Sequence, residues 1–235
     1  MRKYVIAILI VSIIAIFYRY GRSIYIPVLN KMSDKETVHS IQEELTTDVL
    51  DRLRNDLNQI GLKTLPDSIS ILAFKEEEIL EVWAQVDDNN RLLKSYPFSA
   101  NSGTLGPKLK EGDKQIPEGL YKIEYLNPNS SYHLSLKVSY PNDFDQKKTI
   151  EDGRTDIGSD IFIHGRDVTV GCIPLGDKAI EELFIMAATA IENNIAVIIS
   201  PRDFRLNNNF PTVTSVGWSE ELYKSIKMRL EDYKN

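Results

Sequence analysis

The chain has 235 residues, 42% of them hydrophobic, a formal net charge of −6 and a single cysteine. That length buries one sizeable core with room for a small helical appendage. Interspersed charges with an acidic balance exclude nucleic acid as a partner, because phosphate neutralisation needs clustered Lys and Arg.

Arg2 and Lys3 precede an uncharged apolar run from Tyr4 to Tyr18. At about 1.5 Å of rise per residue such a run barely crosses a hydrocarbon layer of about 30 Å. Phe17, Tyr18, Arg19 and Tyr20 supply no small-residue cleavage site, so residues 1–24 are expected to form an uncleaved signal anchor, a transmembrane helix holding a periplasmic domain at the inner membrane, with a cleaved signal peptide and export as the alternative. Residues 25–65 read as a helical neck. Ser33 with Glu36 fits a capping box, Ile41, Leu45, Val49, Leu53, Leu57 and Ile60 recur at helical spacing, and Gly61 supplies a stop.

From Ser68 the pattern turns to strands: 68–74, 80–86, 91–98, 120–126 and 132–140, with polar turns between them. The Gly- and Lys-containing loop that begins at Asn101 reads as a mobile rim of a cleft. Asp160 to Gly165 is a short buried strand ending on a histidine. Asp177 caps a helix running to about Asn193, Ala196 to Ser200 is a buried strand, and Ser219 to Tyr233 forms a terminal helix. The expected fold is α+β: a β-rich catalytic domain over residues 66–205 with flanking helices, and a C-terminal helical extension over 206–235.

The chemistry concentrates between Ile161 and Asp177. A thiol attacks an acyl carbon as thiolate and needs a base beside it. His164 stands at a strand end, eight residues before Cys172, so a turn and a returning segment can bring imidazole and sulfur together. The backbone carbonyl of Gly165 is well placed to orient the imidazole. Gly171 allows close backbone approach and aims the Gly171 and Cys172 amides at a developing oxyanion. In an oxidising compartment a lone thiol is a liability unless it is buried or useful.

The segment holding His164-Gly165 and Thr169-Val170-Gly171-Cys172 resembles the signature of the YkuD-type L,D-transpeptidase catalytic domain, and its short spacing is closest to the YafK-like branch. Lys114 to Ile123, Leu126 to Asp145, Gly153 to Gly165 and Gly171 to Phe184 resemble that branch in the same order. Two positions depart from the wider family: Val170 stands where many members have a second histidine, and Pro174 where an arginine is common. The resemblance implies a cell-envelope enzyme acting on peptidoglycan stem peptides, with Cys172 as nucleophile, His164 as base and no metal or organic cofactor. It implies a thioester at the diaminopimelate carbonyl, resolved by an amine. Water in place of the amine makes the same fold a carboxypeptidase, and a lipoprotein-linked stem makes it an amidase. A catalytically inactive cell-wall-binding protein is the reading from a different class.

Substrate-binding candidates follow. Arg154 and Arg166 flank the His-bearing strand and suit a substrate carboxylate. Thr169 holds the Ser/Thr place of the signature and Tyr132 and His133 lie in a matching segment, where alternation allows His133 either to line the cleft or to be a hydrogen-bonded structural histidine.

Overall fold

The computed structural model describes residues 2–21, 24–25 and 35–234. Helix α1 (Arg2–Tyr20) presents apolar side chains on every side, with Ile6, Leu9, Ile13 and Phe17 all at least half exposed. Among the described residues no helix is long and apolar enough to cross a membrane. The expected anchor therefore stands here as an exposed apolar helix without a recognised span.

Helix α2 (Val38–Gln59) starts later than expected, because Thr37 is its N-cap, with Ser40 completing the capping box. The expected cap Ser33 lies outside the described residues. Ile41, Val49, Leu53 and Leu57 form the buried stripe, as their spacing predicts.

Eight strands follow in one sheet: β1 (Ile69–Phe74), β2 (Ile79–Val86), β3 (Asn89–Pro97), β4 (Gly119–Ser130), β5 (His133–Val138), β6 (Phe162–His164), β7 (Ile173–Pro174) and β8 (Ala196–Ser200), in the spatial order β3-β2-β1-β8-β4-β5-β6-β7. The β1–β8 and β6–β7 pairs are parallel and the rest antiparallel. Strands β1 and β8 are apolar on both faces because both faces are covered. Ile71 and Ala73 join the core beneath α2 and helix α4 (Asp177–Ala190). Leu72, Phe74 and Ile198 point the other way, onto Leu222, Tyr223, Ile226 and Leu230 of helix α5 (Ser219–Leu230).

Helix α3 (Asp143–Glu151), opened by an Asn142–Asp145 capping box, has no counterpart among the expected elements. The expected cap of α4 also differs: Gly176 occupies the N-cap position, while Asp177 accepts from the Arg166 backbone N–H at 3.0 Å. The loop expected to be a mobile rim is pinned from below. Lys75, 4% exposed, donates to the carbonyls of Gly106 and Ile116 and to Glu118, each at 2.9 Å.

Candidate active site

Pairing of short strands at the sheet edge builds the site. In β6 and β7 Ile163 lies opposite Ile173 and His164 opposite Pro174. Cys172 immediately precedes β7, so strand alternation sets its side chain on the same face as His164, two residues along. The Phe162 amide donates to Cys172 Sγ at 3.4 Å, and Sγ lies 3.7 Å from the Asp160 carbonyl.

His164 is 2% exposed. Its Nδ1 lies 2.6 Å from the Gly165 carbonyl. A carbonyl only accepts, so Nδ1 carries the proton and Nε2 keeps the basic lone pair. Gly165 has a steric reason to be glycine. A Cβ there would stand 2.8 Å from the Tyr132 carbonyl and 2.9 Å from Asp177 Oδ1. The Tyr132 ring lies against the imidazole, with centroids 4.7 Å apart.

Thr169 holds the Cys172 backbone at both ends. Its Oγ1 accepts from the Cys172 N–H at 3.0 Å and donates to the Cys172 carbonyl at 2.7 Å. The Gly171 N–H donates to Ser102 Oγ at 2.8 Å. Both amides expected to face an oxyanion are therefore engaged by hydroxyls, and an oxyanion would have to displace one of them. Gly171 has φ +98° and packs against the Gln115 carbonyl, so its close approach is to the loop rather than to open cleft.

Two cavities meet at this pair. One, of about 470 Å³, is lined by Tyr20, Ala100, Asn101 and the 167–170 turn together with Tyr132, His164 and Cys172. The other, of about 180 Å³, is lined by Asn127, Ser130, Ser131, Ser135 and Phe162 with the same Tyr132, His164 and Cys172.

Three of the expected substrate-binding residues are placed elsewhere. Arg154 is taken up by Asp152 at 3.0 Å and the Leu109 carbonyl at 2.9 Å. Arg166 pairs with Asp177 at 2.9 Å. His133 binds Glu181 at 2.8 Å. None of the three lines either cavity, because nearby carboxylates claim them first. Tyr132 and Thr169 do line the larger cavity.

Lys137 escaped the sequence analysis. It is buried on β5 opposite Phe162, with Nζ 5.0 Å from the Phe162 ring centroid and 3.2 Å from Asp160. Its signal in the sequence is a lysine two places from Ser135, itself opposite His164. Electrostatically, burial pushes the Cys172 thiol up, offset in part by the Phe162 amide, Lys137 and Lys108. Burial also pushes the His164 imidazole down, and its bond to Gly165 offsets this only partly. Both shifts disfavour a standing thiolate–imidazolium pair.

The model of the L,D-transpeptidase catalytic domain (YkuD) matches residues 71–199, which is more than half of the chain. The chain belongs to that family. YafK of Escherichia coli K12, which carries the L,D-transpeptidase name, is 32% identical over 145 residues, covering 60% of this chain and 56% of its own. The O157:H7 protein of the same name matches equally. The chain thus spans just over half the length of the curated relatives it matches. Among solved structures, the helical cell shape determining protein Pgp2 of Campylobacter jejuni covers 78% of this chain and 62% of its own, at 20% identity and a TM-score of 0.48. Bd1075 of Bdellovibrio bacteriovorus covers 70% and 56%, at 18% identity and a TM-score of 0.44. His164, Thr169, Cys172 and Tyr132 thus line the cleft, Gly165 and Gly171 lie beside it in the backbone, and Arg154, Arg166 and His133 are engaged by carboxylates outside both cavities.

Proposed function

We propose that the chain is a peptidoglycan cysteine acyltransferase, an L,D-transpeptidase that makes its thioester on Cys172. The observation that carries this reading is the pair of cavities sharing Tyr132, His164 and Cys172. Acyl transfer by a thioester needs room for a donor on one side of the sulfur and an acceptor on the other.

In this reading the donor is a stem tetrapeptide with its diaminopimelate carbonyl at Cys172. The thiol proton passes to Nε2 of His164 as sulfur attacks, and the C–S bond forms while the carbonyl electrons move to oxygen. Collapse of the tetrahedral species breaks the C–N bond to D-alanine, which leaves as the amine with the proton held by His164. The acceptor amine then gives a proton to His164, attacks the thioester and releases the thiol. Family membership and the neutral His164 base, with Nδ1 fixed on Gly165, support these roles. Ser102 and Thr169 are the hydroxyls that the oxyanion would displace from the Gly171 and Cys172 amides.

An envelope location fits the same reading. Helix α1 exposes apolar side chains from Tyr4 to Tyr18, a surface that leaves water readily for a lipid phase. Its far end brings Tyr20 to the larger cavity, so the cleft would face substrate close to a membrane.

The test incubates the full chain with a diaminopimelate-containing disaccharide-tetrapeptide and reads products by mass spectrometry, with Cys172→Ala as control. Cross-linked dimers formed with loss of D-alanine are the expected products. Tripeptide monomers alone would make it a carboxypeptidase. Products only from lipoprotein-linked stems would make it an amidase, and equal turnover by Cys172→Ala would overturn the nucleophile.

A further inference from the structure

The turn between β4 and β5 carries Tyr132, the residue in contact with both halves of the catalytic base. Its ring lies on the His164 imidazole at 4.7 Å between centroids. Its carbonyl sits against Gly165, where a Cβ would come within 2.8 Å, and Gly165 supplies the acceptor for His164 Nδ1. The position of this turn therefore sets the orientation of the imidazole.

Both sides of the turn are gripped from the neck. On one side the Asn129 side chain pairs with the backbone of Glu36, one residue before the N-cap of α2. Asn129 Oδ1 accepts from the Glu36 N–H at 3.0 Å, and Nδ2 donates to the Glu36 carbonyl at 2.7 Å. On the other side His133, held at φ +76°, binds Glu181 at 2.8 Å. Glu181 in turn pairs with Arg52 of α2 at 3.0 Å. Within the turn, the Tyr132 amide is tied to Ser130 Oγ at 3.1 Å. These contacts bracket Tyr132 at residues 129 and 133, and their far ends lie at the start of α2 and at Arg52, beyond its midpoint.

We propose that the neck helix is a clamp on the general base. Asn129 and His133 are positioning residues that hold Tyr132 against His164, and a displacement of the neck is felt at the imidazole. This explains why a polar turn far along the chain keeps a two-bond pairing to the segment before α2. It also gives the otherwise strained His133 a purpose. The inference rests on His164 serving as base to Cys172 and does not depend on which acyl donor is used.

The test uses the full chain and needs no peptidoglycan. Three quantities are read for wild type, Asn129→Ala, Asn129→Asp and Glu181→Gln. These are the unfolding temperature, the ¹⁵N imidazole signature of His164, and the alkylation rate of Cys172 by iodoacetamide at pH 7, with His164→Ala as reference. Wild type should show one Nδ1–H tautomer. Asn129→Ala should show tautomer averaging and a roughly tenfold slower alkylation, part of the 10²–10⁴ that a placed base contributes. Asn129→Asp keeps the acceptor for Glu36 and should fall between the two. Glu181→Gln loosens the other grip and should shift the signal in the same direction, even if Asn129→Ala does not fold. Lowered unfolding temperatures with an unchanged tautomer and alkylation rate would overturn the clamp and leave these contacts purely structural. If His164→Ala alkylates like wild type, the base assignment fails instead, and the two failures are told apart.

Discussion

Lys75→Met tests how far the catalytic turn depends on a charge pair buried beneath it. Lys75 and Glu118 are 4% and 0% exposed. Lys75 uses all three donors, on Gly106, Ile116 and Glu118. Glu118 also accepts from the Gly106 amide at 2.7 Å and from the Tyr223 hydroxyl at 2.8 Å. Burial pushes the Lys75 ammonium down despite Glu118, so the pair sits in a dry environment. Methionine keeps the length of the side chain and removes the charge, which isolates the electrostatic cost. Breaking one partner of such a pair costs about 3–5 kcal/mol, because the other charge remains buried and unpaired. For a chain of this size each kcal/mol shifts the melting temperature by about 2–4 °C, so a fall of roughly 6–20 °C is expected. Lys75→Met/Glu118→Gln removes the orphaned charge and should recover at least half of that loss. The same variant reports on function, because the loop above the pair carries Ser102, the acceptor for the Gly171 amide. Cys172 alkylation should therefore slow in Lys75→Met well below its melting temperature. A melting shift under 2 °C, or a double variant whose loss equals the sum of the singles, would refute the reasoning.

Other perturbations follow from the same geometry. Gly165→Ala inserts a methyl between the Tyr132 carbonyl and Asp177 and should cost about 1–3 kcal/mol in thermal unfolding, with slower Cys172 alkylation. Lys137→Met removes a charge that favours the thiolate. The midpoint of the alkylation-pH curve should move upward, and Lys137→Arg should largely restore it. The His164 imidazole is depressed in the fold, so the folded state binds fewer protons than the unfolded one just below the ordinary histidine value. Its contribution to stability is full above about pH 6.5 and is lost as pH falls toward the depressed value. His164→Gln should flatten that limb of a melting-temperature curve. Asp145, lifted by burial to about 6, acts in the opposite sense, and its gain as pH falls should survive in His164→Gln. Arg154→Gln and Arg166→Gln should lower stability by about 1 kcal/mol or less while leaving KM for a stem peptide unchanged. A several-fold rise in KM in either variant would restore that arginine as a substrate ligand.

Much of the fold was legible because its signals are local. Strands β1 and β8 are mostly apolar runs and β2 is apolar but for Glu81 and Gln85, α2 and α4 repeat at helical spacing, and the His164–Gly165 and Thr169-x-Gly171-Cys172 segments lie within nine residues of one another. What escaped was set by distant partners. Arg154 and Arg166 look free in the sequence, but turns bring Asp152 and Asp177 to them. For His133 alternation left both the cleft and a structural bond open, and its positive φ goes with the bond to Glu181. Helix α3 offers only Phe144 and Ile150 as large apolar residues and is opened by the Asn142 cap, so periodicity carries no signal there. Lys137 needed the β5–β6 register to reveal its neighbour Phe162 and, through it, Cys172.

The surroundings of Cys172 and His164 bear on how the proposed site would work. A standing thiolate–imidazolium pair needs the thiol lowered and the imidazole raised, and burial here drives both the other way. In the proposed reading the sulfur is then activated as the carbonyl arrives rather than held as a standing thiolate. The cost is that proton transfer must accompany attack, and this places the demand on geometry: Nε2 must already face the sulfur. Three separate restraints hold the two residues in place, namely the Gly165 carbonyl on Nδ1, the Tyr132 ring on the imidazole face, and Thr169 on both backbone groups of Cys172. If Cys172 and His164 act as proposed, these contacts serve alignment rather than charge stabilisation in the ground state, and the electrostatic help of Lys137 is felt most as the thiolate forms.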